Sequence, residues 1–188
     1  MEDVWTTLAS KTLVKDRWID LRADQCRTPS GQEISPYYVL TYSDWINVVA
    51  ITSDEHVLLT KQYRHAAGRV FWEIPGGGID ANDPDPCAAA GRELEEETGY
   101  RAGKIELIAT FFPNPASHTN RLHTFLATEV EPVGTQLLDA GEDGLTVHRM
   151  PVGELIKKLH HGFLEQALHT SSVLTALLVS GRIGEIAP

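Results

Sequence analysis

The feature that most restricts how this chain can fold is a break and restart between residues 75 and 99. Pro75-Gly76-Gly77-Gly78 interrupts whatever precedes it, and a segment of helical composition opens at Asp85. Asp85 can cap that helix, and Pro86 suits its first position, where a missing N–H costs nothing. Gly99 can close it in the left-handed conformation. These signals predict a helix over residues 86–98 that carries Arg92-Glu93-Leu94-Glu95-Glu96-Glu97. Positions i, i+3 and i+4 of a helix share a face, so Glu93, Glu96 and Glu97 project together while Glu95 points roughly opposite. Cys87, Ala90, Gly91 and Leu94 form the adjoining stripe, small or apolar enough to pack closely on a sheet.

Strands are expected on both sides of this helix. Residues 13–21 and 37–42 flank the turn-like Thr28-Pro29-Ser30-Gly31, consistent with an N-terminal hairpin. Residues 45–51 and 57–63 are rich in Val, Ile and Leu, with Ser53-Asp54-Glu55 as their connection. Residues 104–112 and 122–128 read as strands around the loop 113–120, and a second loop, 139–144, leads to a short strand at 145–150. Residues 152–159 and 165–179 read as helices separated at Gly162. Strands and helices mix without regular βαβ alternation, which points to a layered α+β domain rather than a doubly wound sheet.

Composition narrows the function. A chain of 188 residues, 42% hydrophobic, can bury one real core. With 16 Lys+Arg against 26 Asp+Glu, the formal charge of -10 opposes binding to a nucleic-acid backbone. A small anionic substrate remains possible, because metal ions and a few arginines reverse the field locally. Cys26 and Cys87 have neither CxxC spacing nor a disulfide framework, so a reducing cytoplasm is expected. The start, Met1-Glu2-Asp3-Val4, lacks a signal pattern, and no apolar run approaches the ~20 residues that span a bilayer.

Three carboxylates on one helix face repel one another: a pair ~4 Å apart costs ~4 kcal/mol at an effective dielectric of about 20. Arg92, one turn before Glu96, offsets part of this. Mg²⁺ or Mn²⁺ is the natural complement of several hard carboxylate oxygens, and without histidine in the cluster zinc is less suited. A run of glutamates is otherwise a solvated helix face. Here the strand end Phe71-Trp72-Glu73-Ile74 runs into the glycine turn just ahead of the helix, where backbone groups could reach a metal or a phosphate.

Arg92-Glu93-Leu94-Glu95-Glu96-Glu97-Thr98-Gly99-Tyr100 resembles, at every fixed position, the second half of the Nudix box, REUxEExGU. Gln62-Tyr63-Arg64 and Trp72-Glu73-Ile74-Pro75-Gly76-Gly77 are similar to the ADP-ribose and nucleotide-sugar pyrophosphatase branch of that family. The resemblance implies an α/β/α sandwich with a mixed β-sheet and an N-terminal antiparallel β-hairpin extension. Residues 1–42 would form the extension and join two subunits into a homodimer, and residues 43–188 would form the hydrolase domain. The family box also places a glutamate eight residues before its arginine, where this chain has Pro84 between Asp83 and Asp85.

The implied activity is metal-dependent hydrolysis of the diphosphate bridge of a nucleoside diphosphate sugar, with ADP-ribose the leading candidate. By resemblance, Glu93 and Glu97 are the principal metal ligands, Glu96 a further ligand or water-mediated contact, and the Gly76 carbonyl a backbone ligand. Arg92 orients the glutamates. Arg64 is a candidate phosphate contact, and Glu73 either contacts the ligand or hydrogen-bonds loop amides. Glu142, with Asp143 next to it, is the expected general base. Where the branch carries an acid at the end of the loop beyond the box, Asn120-Arg121 stands here, so the sugar nucleotide is left open. Two rival readings share the fold: a catalytically silent sensor of a nucleotide metabolite, and an isopentenyl diphosphate type isomerase. The three intact box glutamates favour the hydrolase over the first. The positions of Cys26 and Cys87 disfavour the second.

Overall fold

The computed structural model describes residues 4–184. The chain forms two compact units: one runs up to Ser43 and adds Phe112–Arg121, the other comprises Asp44–Phe111 and the chain from Leu122 onward. The outer ends of the expected division at residues 1–42 and 43–188, as well as the acidic start Met1-Glu2-Asp3, lie outside the described residues.

The first unit is an antiparallel sheet of β1 (Thr6–Lys15), β2 (Asp20–Arg27) and β3 (Glu33–Leu40), in that order. The antiparallel extension therefore has a third strand. Residues 13–21 are not one strand, because Asp16 Oδ1 accepts the N–H groups of Trp18 at 2.7 Å and Ile19 at 2.9 Å and turns the chain there. An aspartate that satisfies backbone donors ahead of it competes with strand extension. The segment Phe112–Arg121 is tied to β3: the Leu40 N–H donates to Ser117 O at 2.7 Å, and Tyr37 Oη donates to Ala116 O at 2.6 Å.

The second unit is built on a mixed sheet. Its path is β10 (Thr146–Pro151), β5 (His56–Arg64), β4 (Trp45–Thr52), β9 (Leu122–Pro132) and β8 (Tyr100–Phe111). In addition, β6 (Arg69–Glu73) pairs with β5, and β7 (Gly76–Gly78) pairs with β4. The β4–β9 pair is parallel and the other pairs are antiparallel.

The alternation of β4 explains the layers. Ile46, Val48 and Ala50 face α1 (Pro86–Thr98), meeting Ala89, Ala90 and Leu94. Val49 and Ile51 face the opposite way, toward α2 (Val152–Leu159) and α3 (Ala167–Val179), where Leu155, Val173 and Leu177 cover them. With period 2, one strand thus feeds two cores, and each fully buried Leu or Ile contributes about 1.5–3 kcal/mol. The result is the expected α/β/α sandwich.

Candidate active site

The helix start and stop are those the sequence calls for. Asp85 Oδ1 accepts the Ala88 N–H at 2.8 Å, Pro86 opens α1, and Gly99, at φ 72°, closes it with its N–H on Glu95 O. Leu94 fixes the rotation of the helix by burying completely. Glu93 and Glu97 then turn inward, 8% and 3% exposed, while Glu95 faces outward and pairs with Arg101.

The glycine segment is not an open turn. Gly76–Gly78 lies in register with Asn47, Ile46 and Trp45 of β4. A side chain would not fit: a Cβ on Gly76 would strike the Ile46 carbonyl, and one on Gly77 would strike the Glu93 carboxylate. The bare strand lets the Gly76 N–H donate to Glu97 Oε2 at 3.1 Å.

Opposite α1, the 3-10 turn Ala140–Glu142 brings in a third acid. Glu142 sits in a capping box with Asp139, whose N–H donates to Glu142 Oε2 at 2.9 Å. Gln62 on β5 anchors the same turn by donating to Gly141 O at 3.0 Å. Glu93, Glu97 and Glu142 each place an oxygen within 4.8 Å of the others. Burial, reinforced by the neighbouring acids, pushes Glu97 up to about 9; burial likewise lifts Glu93 to about 7, against the pull of Arg92. Asp143 is exposed and stands outside this group.

Glu96 also stands outside it, and its Oε2 accepts from Arg92 Nη1 at 2.9 Å. Arg92 spends every donor locally: on Glu96, on Glu93 Oε1 at 3.0 Å, on Gly78 O at 3.3 Å, and on both oxygens of Asp83 at 3.0 and 2.9 Å. The Arg92 guanidinium in turn holds the Asp83 carboxyl below the usual range. Asp83, next to the Pro84 that occupies the glutamate position of the box, thus joins Glu93 and Glu96 among the acids that hold the box arginine. Its sequence signal was its place beside the gap.

Glu97, Glu142 and the glycine strand border a cleft of about 410 Å³. Arg64 lines it and holds Glu73 through both carboxylate oxygens, at 2.6 Å for the closest pair; Glu73 is 2% exposed and does not line the cleft. The far wall, which sequence reasoning missed, is the start of α3, with Gln166, Leu168 and His169. Asn47 ties this wall to β4 by donating to Ser172 Oγ at 3.1 Å. Burial pushes His169 down to about 4, and its Nδ1 accepts the Ile74 N–H at 2.9 Å.

The other aromatic candidates lie elsewhere, apart from Trp45, which lines the cleft. His123 pairs with Asp44, and His148 packs on Trp72. His118 packs on Tyr42 within the N-terminal unit, and Trp18 is 73% exposed.

A three-acid group backed by a glycine strand lies on a sheet sandwiched by helices, and residues 44–169 match the NUDIX domain model. The chain belongs to the Nudix hydrolases. It is thus an enzyme, and one that acts on diphosphate linkages. Residues 5–40 match the model described as the nucleoside diphosphate sugar hydrolase N-terminal domain. An ADP-ribose pyrophosphatase of Mycobacterium tuberculosis is 27% identical over 95% of this Nudix chain and 86% of its own length. One from Bacillus subtilis is 32% identical over 66% of each chain. A crystallised ADP compounds hydrolase shares the fold at a TM-score of 0.81 and 19% identity, over 95% of this chain and 97% of its own.

Proposed function

We propose that this Nudix hydrolase cleaves the diphosphate bridge of a nucleoside diphosphate sugar, ADP-ribose first among the candidates, to a nucleoside monophosphate and a sugar phosphate. The observation that carries the reading is the three-acid group Glu93, Glu97 and Glu142, two of whose members, Glu97 and Glu142, line one cleft with Arg64 and the glycine strand. Two ADP-ribose pyrophosphatases among the relatives support the choice of substrate.

The donor set fits Mg²⁺ or Mn²⁺: all three groups are hard carboxylate oxygens, and two are buried and crowded enough to disfavour their own ionisation. Glu93 and Glu97 would hold the ion, with the Gly76 carbonyl beside them and Glu96 as a further or water-mediated ligand. A bound divalent ion supplies positive charge for the non-bridging oxygens and acidity for the attacking water. Arg92 fixes the orientation of Glu93 and Glu96. Arg64, aligned by Glu73, binds a phosphate oxygen as charge develops on it. Glu142 is the general base that takes the proton from the attacking water.

In this reading the enzyme is a homodimer of the reducing cytoplasm, joined through its N-terminal strands. All ten residues of β1 are exposed, and Trp5, Leu8, Leu13 and Val14 offer apolar surface on and beside that edge strand. Light scattering on the full chain should give twice the monomer mass.

The decisive test supplies ADP-ribose, ADP-glucose, GDP-mannose and UDP-glucose with Mg²⁺ or Mn²⁺ and follows the products by ³¹P NMR. Release of a nucleoside monophosphate and a sugar phosphate from at least one of them is expected. Tight binding of one without cleavage of any would replace the enzyme with the sensor.

A further inference from the structure

The wall at the start of α3 carries a side-chain acceptor without a partner among the described residues and, three positions on, a histidine N–H. Gln166 occupies the N-cap position of α3, yet its side chain does not cap the helix. Its Oε1 is buried without a hydrogen-bond partner, and the residue lines the cleft. His169 is 6% exposed and lines the same cleft. Its Nδ1 accepts the Ile74 N–H, so the ring proton resides on Nε2. Residues three apart lie on one side of a helix, so the free acceptor and the ring donor share the cleft-facing side.

A buried acceptor without a donor is destabilising, and the cost persists unless something from outside supplies the partner. A phosphate oxygen would satisfy His169 but not Gln166 Oε1. A hydroxyl satisfies both, because it donates one hydrogen and offers two lone pairs. In the reading proposed above, the diphosphate is held elsewhere in the cleft, by Arg64 and by the cations that Glu93 and Glu97 would bind. We propose that Gln166 and His169 form a hydroxyl-recognition pair: His169 donates from Nε2 to a sugar hydroxyl of the substrate, and that hydroxyl donates to Gln166 Oε1. The inference rests on the diphosphate-sugar reading above and makes this wall a specificity determinant within it. Both the ribose of the nucleoside and the distal sugar carry this chemistry.

The test compares the unaltered full chain with Gln166→Ala and His169→Asn on three substrates. These are ADP-ribose, its 2′,3′-dideoxyadenosine counterpart, and the pentyl ester of ADP, which has no distal hydroxyl. Asparagine keeps an acceptor for the Ile74 N–H and removes the cleft-facing donor. Gln166→Ala breaks no hydrogen bond of the protein side chains and so gives an independent reading if His169→Asn misfolds. On ADP-ribose each variant should lose roughly tenfold in kcat/KM, chiefly through KM. His169→Gln, whose amide nitrogen reaches the place of Nε2, should recover part of that loss.

The loss should vanish on one analogue: on the pentyl ester if the pair reads the distal sugar, on the dideoxy compound if it reads the nucleoside. Equal losses on all three substrates, or no loss on ADP-ribose, would overturn the inference and leave the diphosphate reading standing. No turnover of ADP-ribose by the unaltered chain, with turnover of the other nucleotide sugars also absent, would overturn both.

Discussion

The N–H of Gly76 donates to Oε2 of Glu97 across 3.1 Å, so the glycine strand holds by its backbone the most deeply buried acid of the site. Glutamine at position 97 can still accept that bond but cannot carry the charge. Glu97→Gln should therefore reduce kcat by at least about a hundredfold, while its melting temperature without metal stays at or above that of the unaltered chain. Steady-state kinetics and circular dichroism melts check both halves.

Glu93 and Glu97 make stability depend on pH in an unusual direction. Their folded values, about 7 and about 9, exceed the ordinary glutamate value of 4.5. The folded state therefore holds these protons more tightly, and the stability they contribute is full below about pH 4.5 and lost as pH rises through 7 and 9. Metal-free protein should melt several degrees lower at about pH 9 than at about pH 6. Excess Mg²⁺ should raise the melting point, and more so at the higher pH, because the ion requires the deprotonated acids. Scanning fluorimetry with and without chelator measures both trends.

Glu142 and Asp143 are neighbours in the chain but not in the site. Glu142→Gln should lower kcat by roughly 10²–10⁴-fold, the range of general-base catalysis, with folding unchanged. Asp143→Ala should stay within about threefold of the unaltered rate, as expected of an exposed group outside the cluster. If the two variants behaved alike, the capping box at Asp139 would not be selecting the base.

Adjacent glycines should fail differently. An alanine at Gly76 meets backbone, the Ile46 carbonyl, with Asn47 Oδ1 at 2.7 Å, so Gly76→Ala should lower the melting temperature by several degrees. An alanine at Gly77 meets the Glu93 carboxylate, a movable side-chain end. Gly77→Ala should keep its fold and lose about 10–100-fold in metal affinity, read by titration calorimetry.

Helix α1 was fully legible in the sequence because its information is local: Asp85, Pro86 and Gly99 write the ends, and the spacing of Leu94 writes the rotation. The core strands were legible for the same reason. The pairing of Gly76–Gly78 with β4 was not, since a strand without side chains carries no periodic signal and is held by a partner some thirty positions away. The turn at Asp16 was hidden by the apolar residues on either side of it. Asp83 pairs with Arg92 through bonds that only tertiary structure reveals. His169 and Gln166 lie still farther from the box, and nothing in their neighbourhood marks a helix start as the wall of a cleft.

The strand Gly76–Gly78 also bears on how such an enzyme can diversify. Backbone and carboxylate crowd Gly76 and Gly77 so closely that this side of the cleft cannot gain a side chain without losing either its sheet pairing or its acids. Adaptation to a new sugar or base, by selection or by a protein engineer, must then be written on the facing surface, where Gln166, Leu168 and His169 can change without touching the chemistry.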